Sequence, residues 1–340
     1  MKASQIYFDA KEHASLHTEE FDATLAPTQV LVKADYDVLS AGTELAYYRE
    51  LPNTGAGRCG FPCFGIGYSV SGHVVEIGAA VTKLKPGDPV VVRWAGHRSW
   101  FVQEEKNLFK IPAGVDQRLA AFAHLASFAF LGMRKLQLQL GEAAMVAGQG
   151  LLGLFATQLA RLSGACPVLV SDFSAERREL ALRLGADYAL DPHEPDFIQK
   201  VVELTDGRGP DGVVEVTGYI SALQQVLECI AWQGRISLLG CTRISDQPID
   251  FYQYVHLRGV SLIGCHTMTR PKNDSRPGQW TEFDDYRTFF KFLQAGKLQV
   301  EPIVHEIVSP RDADAIYNRL AHTKNPPVGI LFDWTNVDNS

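Results

Sequence analysis

The chain has 340 residues, with 32 Lys plus Arg against 39 Asp plus Glu and a formal net charge of −7; 46% of residues are hydrophobic and 21% charged. That length allows about two domains with real cores, and the apolar content excludes a disordered chain. A mild acidic excess with no Lys/Arg block argues against a phosphate-backbone binder, so no nucleic-acid partner is expected. Six cysteines, at 59, 63, 166, 229, 241 and 265, form no CxxC pair, which suits a reducing compartment better than a disulfide scaffold. The N-terminal residues Met1 to Tyr7 contain no apolar signal core. The richest apolar stretch, Ala143 to Ala160, is broken by Gln149 and glycines short of the roughly 18 residues of a membrane span. The expectation is a cytoplasmic protein with no membrane partner.

The first part of the chain reads as β-rich. Val30–Ala34 and Val70–Gly78 are β-branched runs, Pro86-Gly87-Asp88 is a turn, and Pro89–Val92 is the strand after it. Trp100–Val102 and Leu108–Ile111 follow, closed by Pro112. From Arg118 to Leu140 the spacing of Leu119, Phe122, Ala123, Ala126, Phe130 and Met133 predicts one helix. Strands then alternate with helices. Strands are expected at Ala143–Ala147, Val168–Val170, Gly212–Val216, Ile236–Leu239 and Val260–Ile263. Helices are expected at Leu151–Ser163, Ala175–Leu184, Phe197–Leu204 and Ser221–Ile230. This alternation predicts an α/β unit, a doubly wound parallel sheet with helices on both faces. Residues 267–282, with Pro271, Pro277 and Gly278, read as a polar loop that could shape a substrate lid. Tyr286–Leu293 reads as an amphipathic helix, and strands return at Ile303–Val308 and Val328–Phe332.

Ala143–Ala147 runs directly into Gly148-Gln149-Gly150-Leu151-Leu152-Gly153 and then a helix. This is GxGxxG in the setting that gives it meaning. Gly148 permits the tight turn, Gly150 lets a pyrophosphate approach the backbone, and Gly153 lets the helix pack close. The helix N-terminus offers N–H groups and positive dipole to phosphate. Asp172 follows Gly153 by 19 residues, at the end of the next strand. A carboxylate there accepts from ribose hydroxyls and repels a 2′-phosphate, which favours NAD(H) over NADP(H). The bland alternative is a chance glycine turn with Asp172 as a helix N-cap.

These residues, with the turn at Pro86-Gly87-Asp88 and Leu184-Gly185-Ala186-Asp187, resemble the medium-chain dehydrogenase/reductase superfamily of zinc alcohol and polyol dehydrogenases over nearly the whole chain. The resemblance implies a Rossmann domain at 124–265 and a GroES-like β-rich catalytic domain made from 1–123 and 266–340. It implies further cofactor contacts from Gln149, Leu151, Leu152, Arg177, Thr217, Gly240, Gly264 and Cys265. It also implies a homodimer or homotetramer with a small-molecule substrate as partner. The departures concern zinc. Zinc members carry a Cys-Gly-Thr-Asp-like motif where this chain has Ala41-Gly42-Thr43-Glu44, and Gly-His-Glu where it has Gly67-Tyr68-Ser69. A further ligand position falls at Ala123, and residues 93–112 contain no cysteine for a structural zinc. Alanine cannot ligate zinc, and Tyr and Ser are poor substitutes for His and Glu. No metal is therefore expected. The pattern resembles a zinc-free branch that includes bacteriochlorophyllide hydroxyethyl dehydrogenases.

Without a metal, other groups must handle the alcohol proton. Thr43 sits at the family's hydroxyl-relay position, while the relay histidine position is Ala46. Tyr68 could donate to the substrate oxygen, or merely fill the space of the lost zinc site. His97 has the right pKa range for acid–base work, or is a surface or supporting histidine. Glu44 is expected to support these groups, bonded to backbone or to Tyr68. His124, His266 and Arg270 are candidates for substrate contact, against plain structural roles. Cys59 and Cys63, with His73 or His97, make a weak metal pattern, because a three-residue spacing in a glycine-rich loop is no standard finger. The leading expectation is a zinc-independent NAD(H) oxidoreductase acting on a secondary alcohol or ketone of a polar sugar, polyol or cyclitol. A quinone or enone reductase and a non-catalytic nucleotide-binding protein are the alternatives. Cofactor titration separates the first pair, and any NADH turnover excludes the last.

Overall fold

The computed structural model describes residues 1–55, 57, 60–276 and 278–337. In chain order its strands are β1 (Lys2–Ala10), β2 (His13–Glu20), β3 (Gln29–Val38), β4 (Ser69–Ile77), β5 (Pro89–Arg93), β6 (Trp100–Glu104) and β7 (Leu108–Lys110). Then come β8 (Ala144–Ala147), β9 (Val168–Ser171), β10 (Tyr188–Leu190), β11 (Gly212–Glu215), β12 (Arg235–Leu238), β13 (Ser261–Gly264), β14 (Glu306–Val308) and β15 (Ile330–Asp333).

The chain divides into two compact units, each fed by more than one segment. The first takes Met1–Leu125, Tyr286–Gln294 and the chain from Val300 on; the second takes Ala126–Asp285 and Ala295–Gln299. Residues 266–285 thus belong with the second unit, not with the first as the resemblance implied. The reason is a set of ties inside that unit. Lys135 Nζ donates to Gly264 O and Thr269 Oγ1, at 2.6 and 2.7 Å, and the Arg134 guanidinium lies 4.2 Å over the Trp280 ring. Gln299 is likewise held there, because Gln158 bonds both its N–H (2.7 Å) and its C=O (3.0 Å).

In the first unit β1 and β2 form an antiparallel hairpin. The larger sheet has the order β14-β15-β3-β4-β5-β7, with β6 also paired to β3. Its core includes Val30, Val32, Val70, Val90, Val92, Phe101, Phe332 and Trp334. The alternation of β-branched residues along these strands is what places them there. The second unit is a six-stranded sheet of order β10-β9-β8-β11-β12-β13, every neighbouring pair parallel. Its central strands β8, β9 and β11 are buried at every residue, the mark of a sheet covered on both faces. Strand order reverses between β8 and β11, and the glycine loop leaves β8 at that point, where open α/β sheets bind ligands.

Three expectations change. The single helix at 118–140 is two, Gln117–Ala120 and Ala123–Leu136, and the second ends as Gln137 takes a φ of +50°. Residues 303–305 are not strand, since a 3₁₀ turn containing Pro302 spans Glu301–Ile303 and pairing starts only at Glu306. The helix expected at Tyr286 begins four residues sooner, at Glu282, where the Thr281 hydroxyl accepts from Asp284 N–H. The helices Ala41–Tyr48 and Ala313–His322 were not anticipated. No described helix is long and apolar enough to cross a membrane.

Candidate active site

In the second unit the glycine loop has the geometry of a dinucleotide cradle. Gly148 takes a φ of +94°, and a Cβ there would lie 2.8 Å from Thr217 Cγ2. At Gly153 a Cβ would lie 1.9 Å from Gly148 O, so only glycine lets the helix Leu151–Leu162 seat against the turn. Gly150 is the helix N-cap, nothing crowds it, and half-buried Leu151 and Leu152 begin the helix. Asp172 is buried just beyond β9; its carboxylate accepts from Gln149 N–H at 2.7 Å and Ser174 N–H at 2.8 Å. Arg177 Nη1 stands 3.9 Å from it. Each carboxylate oxygen keeps acceptor capacity for a ribose hydroxyl. The site fits a dinucleotide. Gly153→Ala should therefore raise the NADH dissociation constant by about tenfold or more, read by protein–NADH fluorescence titration.

Other residues expected at the cofactor turn inward. The Gln149 side chain is fully buried, donating to Val146 O and Gly148 O and accepting from Thr157. Thr217 donates both its N–H (2.7 Å) and its hydroxyl to Glu215, and Gly240 is packed against Gly218 N. Cys265 is buried with its Sγ 3.0 Å from Ser237 Oγ, and burial pushes its thiol pKa up. Side-chain contact from Gln149 and Cys265 is thus replaced by packing roles, because both lie in the interior of the α/β unit. Glu215, at the end of β11, was not anticipated. Burial raises its pKa, and Thr217 and Gly218 N–H groups bind its carboxylate, which shapes the turn against Gly148. His266 is exposed and caps a 3₁₀ turn through Met268 N–H. Arg270 is 5% exposed, donates to Ser127 Oγ and lies 3.6 Å from Asp285, so it braces the 267–281 segment and is no open substrate contact. Asp285 is pushed up to about 6 by burial, opposed by Arg270 and Arg134.

In the first unit a polar–aromatic group forms around half-buried Tyr68. Its hydroxyl is hydrogen-bonded to Ser40 Oγ. Its ring centroid lies 5.4 Å from Trp94 and 5.7 Å from His124, and Trp94 lies 4.7 Å from His124. His124 Nδ1 is 2.6 Å from Tyr286 OH. Trp94 is 53% exposed, so this group reaches the surface of its unit. Thr43 is half-buried on the helix Ala41–Tyr48, its N–H bonded to Ser40 O. Ser40, Trp94 and Tyr286 were not anticipated; Tyr286 arrives from 162 residues beyond His124.

His97 and Glu44 lie in a separate, closed cluster. His97 has no exposure; Nδ1 is 2.8 Å from Asp37 and Nε2 3.0 Å from Glu44. Tyr317 OH donates to Glu44 at 2.7 Å, and Trp334 Nε1 to Asp37 at 2.8 Å. Burial alone would lower the His97 pKa, but the two carboxylates outweigh it and raise it to about 10. Burial raises the Asp37 pKa, and burial with Glu44 raises that of Tyr317. With no exposed atom the ring cannot reach a substrate, so His97 is no catalytic acid or base. Glu44 accepts from Ser40 N–H at 2.9 Å, the backbone bond expected of it.

The second unit is thus a six-stranded parallel α/β sheet with a glycine loop at its switch point, a fold that binds dinucleotides, and the first is a separate β-rich unit. Residues 26–132 match the alcohol dehydrogenase GroES-like domain, and residues 152–284 match the zinc-binding dehydrogenase domain. The chain is 30% identical over 268 residues to an L-threonine 3-dehydrogenase of Pyrococcus horikoshii, spanning 70% of this chain and 73% of that one. It is 28% identical over 251 residues to a D-guloside 3-dehydrogenase of Escherichia coli, spanning 73% and 71%. A Sinorhizobium meliloti structure described as a putative zinc-binding dehydrogenase bound to NADP superposes with a TM-score of 0.81 at 19% identity, covering 98% and 99%. The chain belongs to the medium-chain zinc-binding dehydrogenase family.

The family name implies zinc, but the donor set here does not fit it. The positions that the sequence resemblance assigns to ligands hold Ala41, Tyr68, Ser69 and Ala123. The Tyr68 hydroxyl is tied to Ser40, and Ser69 Oγ donates to Ala121 O and accepts from Leu125 N–H. Among the described residues no group of three or more His, Cys, Asp or Glu is placed to hold a metal ion. Cys59 lies outside the described residues; Cys63 is buried, its backbone bonded to that of Phe8.

Proposed function

We propose that the protein is a zinc-independent, NAD(H)-dependent dehydrogenase of a secondary alcohol on a sugar, polyol or cyclitol. One observation supports this reading: the Tyr68 hydroxyl, at a position that the sequence resemblance assigns to a metal ligand, is hydrogen-bonded to Ser40 and walled by Trp94 and His124. NAD, when bound, takes the hydride from the alcohol carbon. The Tyr68 hydroxyl takes the proton from the substrate oxygen as it passes its own to Ser40 Oγ, whose proton leaves to solvent. The Trp94 face and the nearby polar atoms suit a ligand with both C–H and hydroxyl faces. The relatives named for threonine and a guloside, both hydroxyl-bearing compounds, support that substrate class. Asp172, buried beside the loop, favours NAD over NADP by opposing a 2′-phosphate.

The test is a purified, metal-analysed enzyme assayed with NAD⁺ and NADP⁺ against sorbitol, galactitol, myo-inositol and an enone. Expected are NAD⁺-linked polyol oxidation that is insensitive to chelator, and a swing of about tenfold or more toward NADP⁺ in Asp172→Gly. Enone reduction without alcohol turnover, or activity proportional to zinc content, overturns the reading.

A further inference from the structure

Three fully buried ionisable groups, Asp37, Glu44 and His97, make a costly way to hold a fold. Well-packed apolar side chains would often do as well or better, so a buried ion pair is weak evidence of stabilisation by itself. What sets this cluster apart is what it grips. Glu44 Oε1 accepts Ser40 N–H at 2.9 Å, and Glu44 N–H donates back to Ser40 O at 2.9 Å. Ser40 is thereby held from both sides, while its hydroxyl is bonded to Tyr68 OH. On the other arm, Gly67, the residue before Tyr68, lies flat against the His97 ring. A Cβ at Gly67 would come 2.6 Å from three ring atoms, and its φ is +83°. His97 N–H donates to Ile66 O at 2.7 Å, one residue further back. Both segments that carry the Tyr68–Ser40 pair therefore end on one salt bridge, Glu44 to His97 at 3.0 Å.

We infer that Glu44, with His97, is a positioning residue: it fixes Ser40 and through it the direction of the Tyr68 phenol. This rests on the reading of Tyr68 given above. The far side of the cluster, where Trp334 bonds Asp37, holds the same ions but touches neither Ser40 nor Gly67. A merely structural cluster would make activity follow stability wherever it is cut; a positioning device would not.

The experiment measures kcat, KM and Tm with NAD⁺ and the panel alcohol that the wild-type enzyme oxidises, below the Tm of every variant. Glu44→Gln should lower kcat by about tenfold or more with KM within about twofold, and Trp334→Phe should lower Tm with kcat within about twofold. In a Ser40→Ala background, Glu44→Gln should cost almost nothing further, because the two act in series. Glu44→Asp keeps the charge but withdraws the carboxylate from Ser40, and should show the same kcat loss should the glutamine variant fail to fold. Wild-type kcat in a folded Glu44 variant, or full additivity with Ser40→Ala, overturns the inference. Tyr68→Phe in the same assay separates the two readings. Loss there with no loss at Glu44 sinks the positioning role alone; wild-type kcat there sinks both.

Discussion

Tyr68→Phe should lower kcat for alcohol oxidation by about a hundredfold or more, with KM little changed and Tm within a few degrees. The substitution removes one oxygen and leaves the ring against Trp94 and His124. That oxygen bonds Ser40 Oγ, the hydrogen-bond partner that the proposed reaction uses. Proton handling by a positioned side chain is worth about 10² to 10⁴ in rate, and the proposed mechanism assigns that factor to Tyr68. Steady-state kinetics with NAD⁺ and the best panel alcohol check it. A phenylalanine variant with wild-type kcat would remove Tyr68 from the chemistry.

The second large effect is on stability. His97→Leu should cost about 3–5 kcal/mol in urea unfolding, because Asp37 and Glu44 would remain buried without their shared cation. The pH dependence has a definite sign. His97 binds its proton more tightly in the folded chain, at about 10, than the ordinary value of 6.5. Its stabilisation is therefore complete below pH 6.5, declines as pH rises toward 10, and is gone above it. Wild-type unfolding free energy should fall across that window at about 1.4 kcal/mol per pH unit from this group, and His97→Leu should lose that slope. A variant with the wild-type slope would show that the proton sits elsewhere.

Much of the α/β unit was legible because its signals are local. A short apolar strand, three glycines and a following helix sit within a few residues, and the positive φ of Gly148 and the close packing of Gly153 on Gly148 O act over the same distance. The β-rich strands were legible for the same reason, as runs of alternating side chains between turns. Helix ends were less so. Gln137 stopped a helix that periodicity alone would carry further, and Thr281 started one ahead of its first apolar residue. The boundary after Asp285 was hidden because side-chain ties from Lys135 and Arg134, far back in the chain, decide it.

The sequence by itself determined the glycine loop, the acidic residue beyond β9 and the presence of Ala41, Tyr68 and Ala123, since each depends on residue type at a local position. Only the tertiary structure decided which histidine stands near Tyr68. His97 and His124 read alike in sequence, as lone histidines near candidate site positions. Folding seals the first between Asp37 and Glu44, with Tyr317 and Trp334 brought in from nearly three hundred residues away, and sets the second beside Trp94 and Tyr68. The physical reason is that a side chain's charge and access depend on neighbours that long-range strand pairing supplies, here β15 on β3, and no local pattern encodes them.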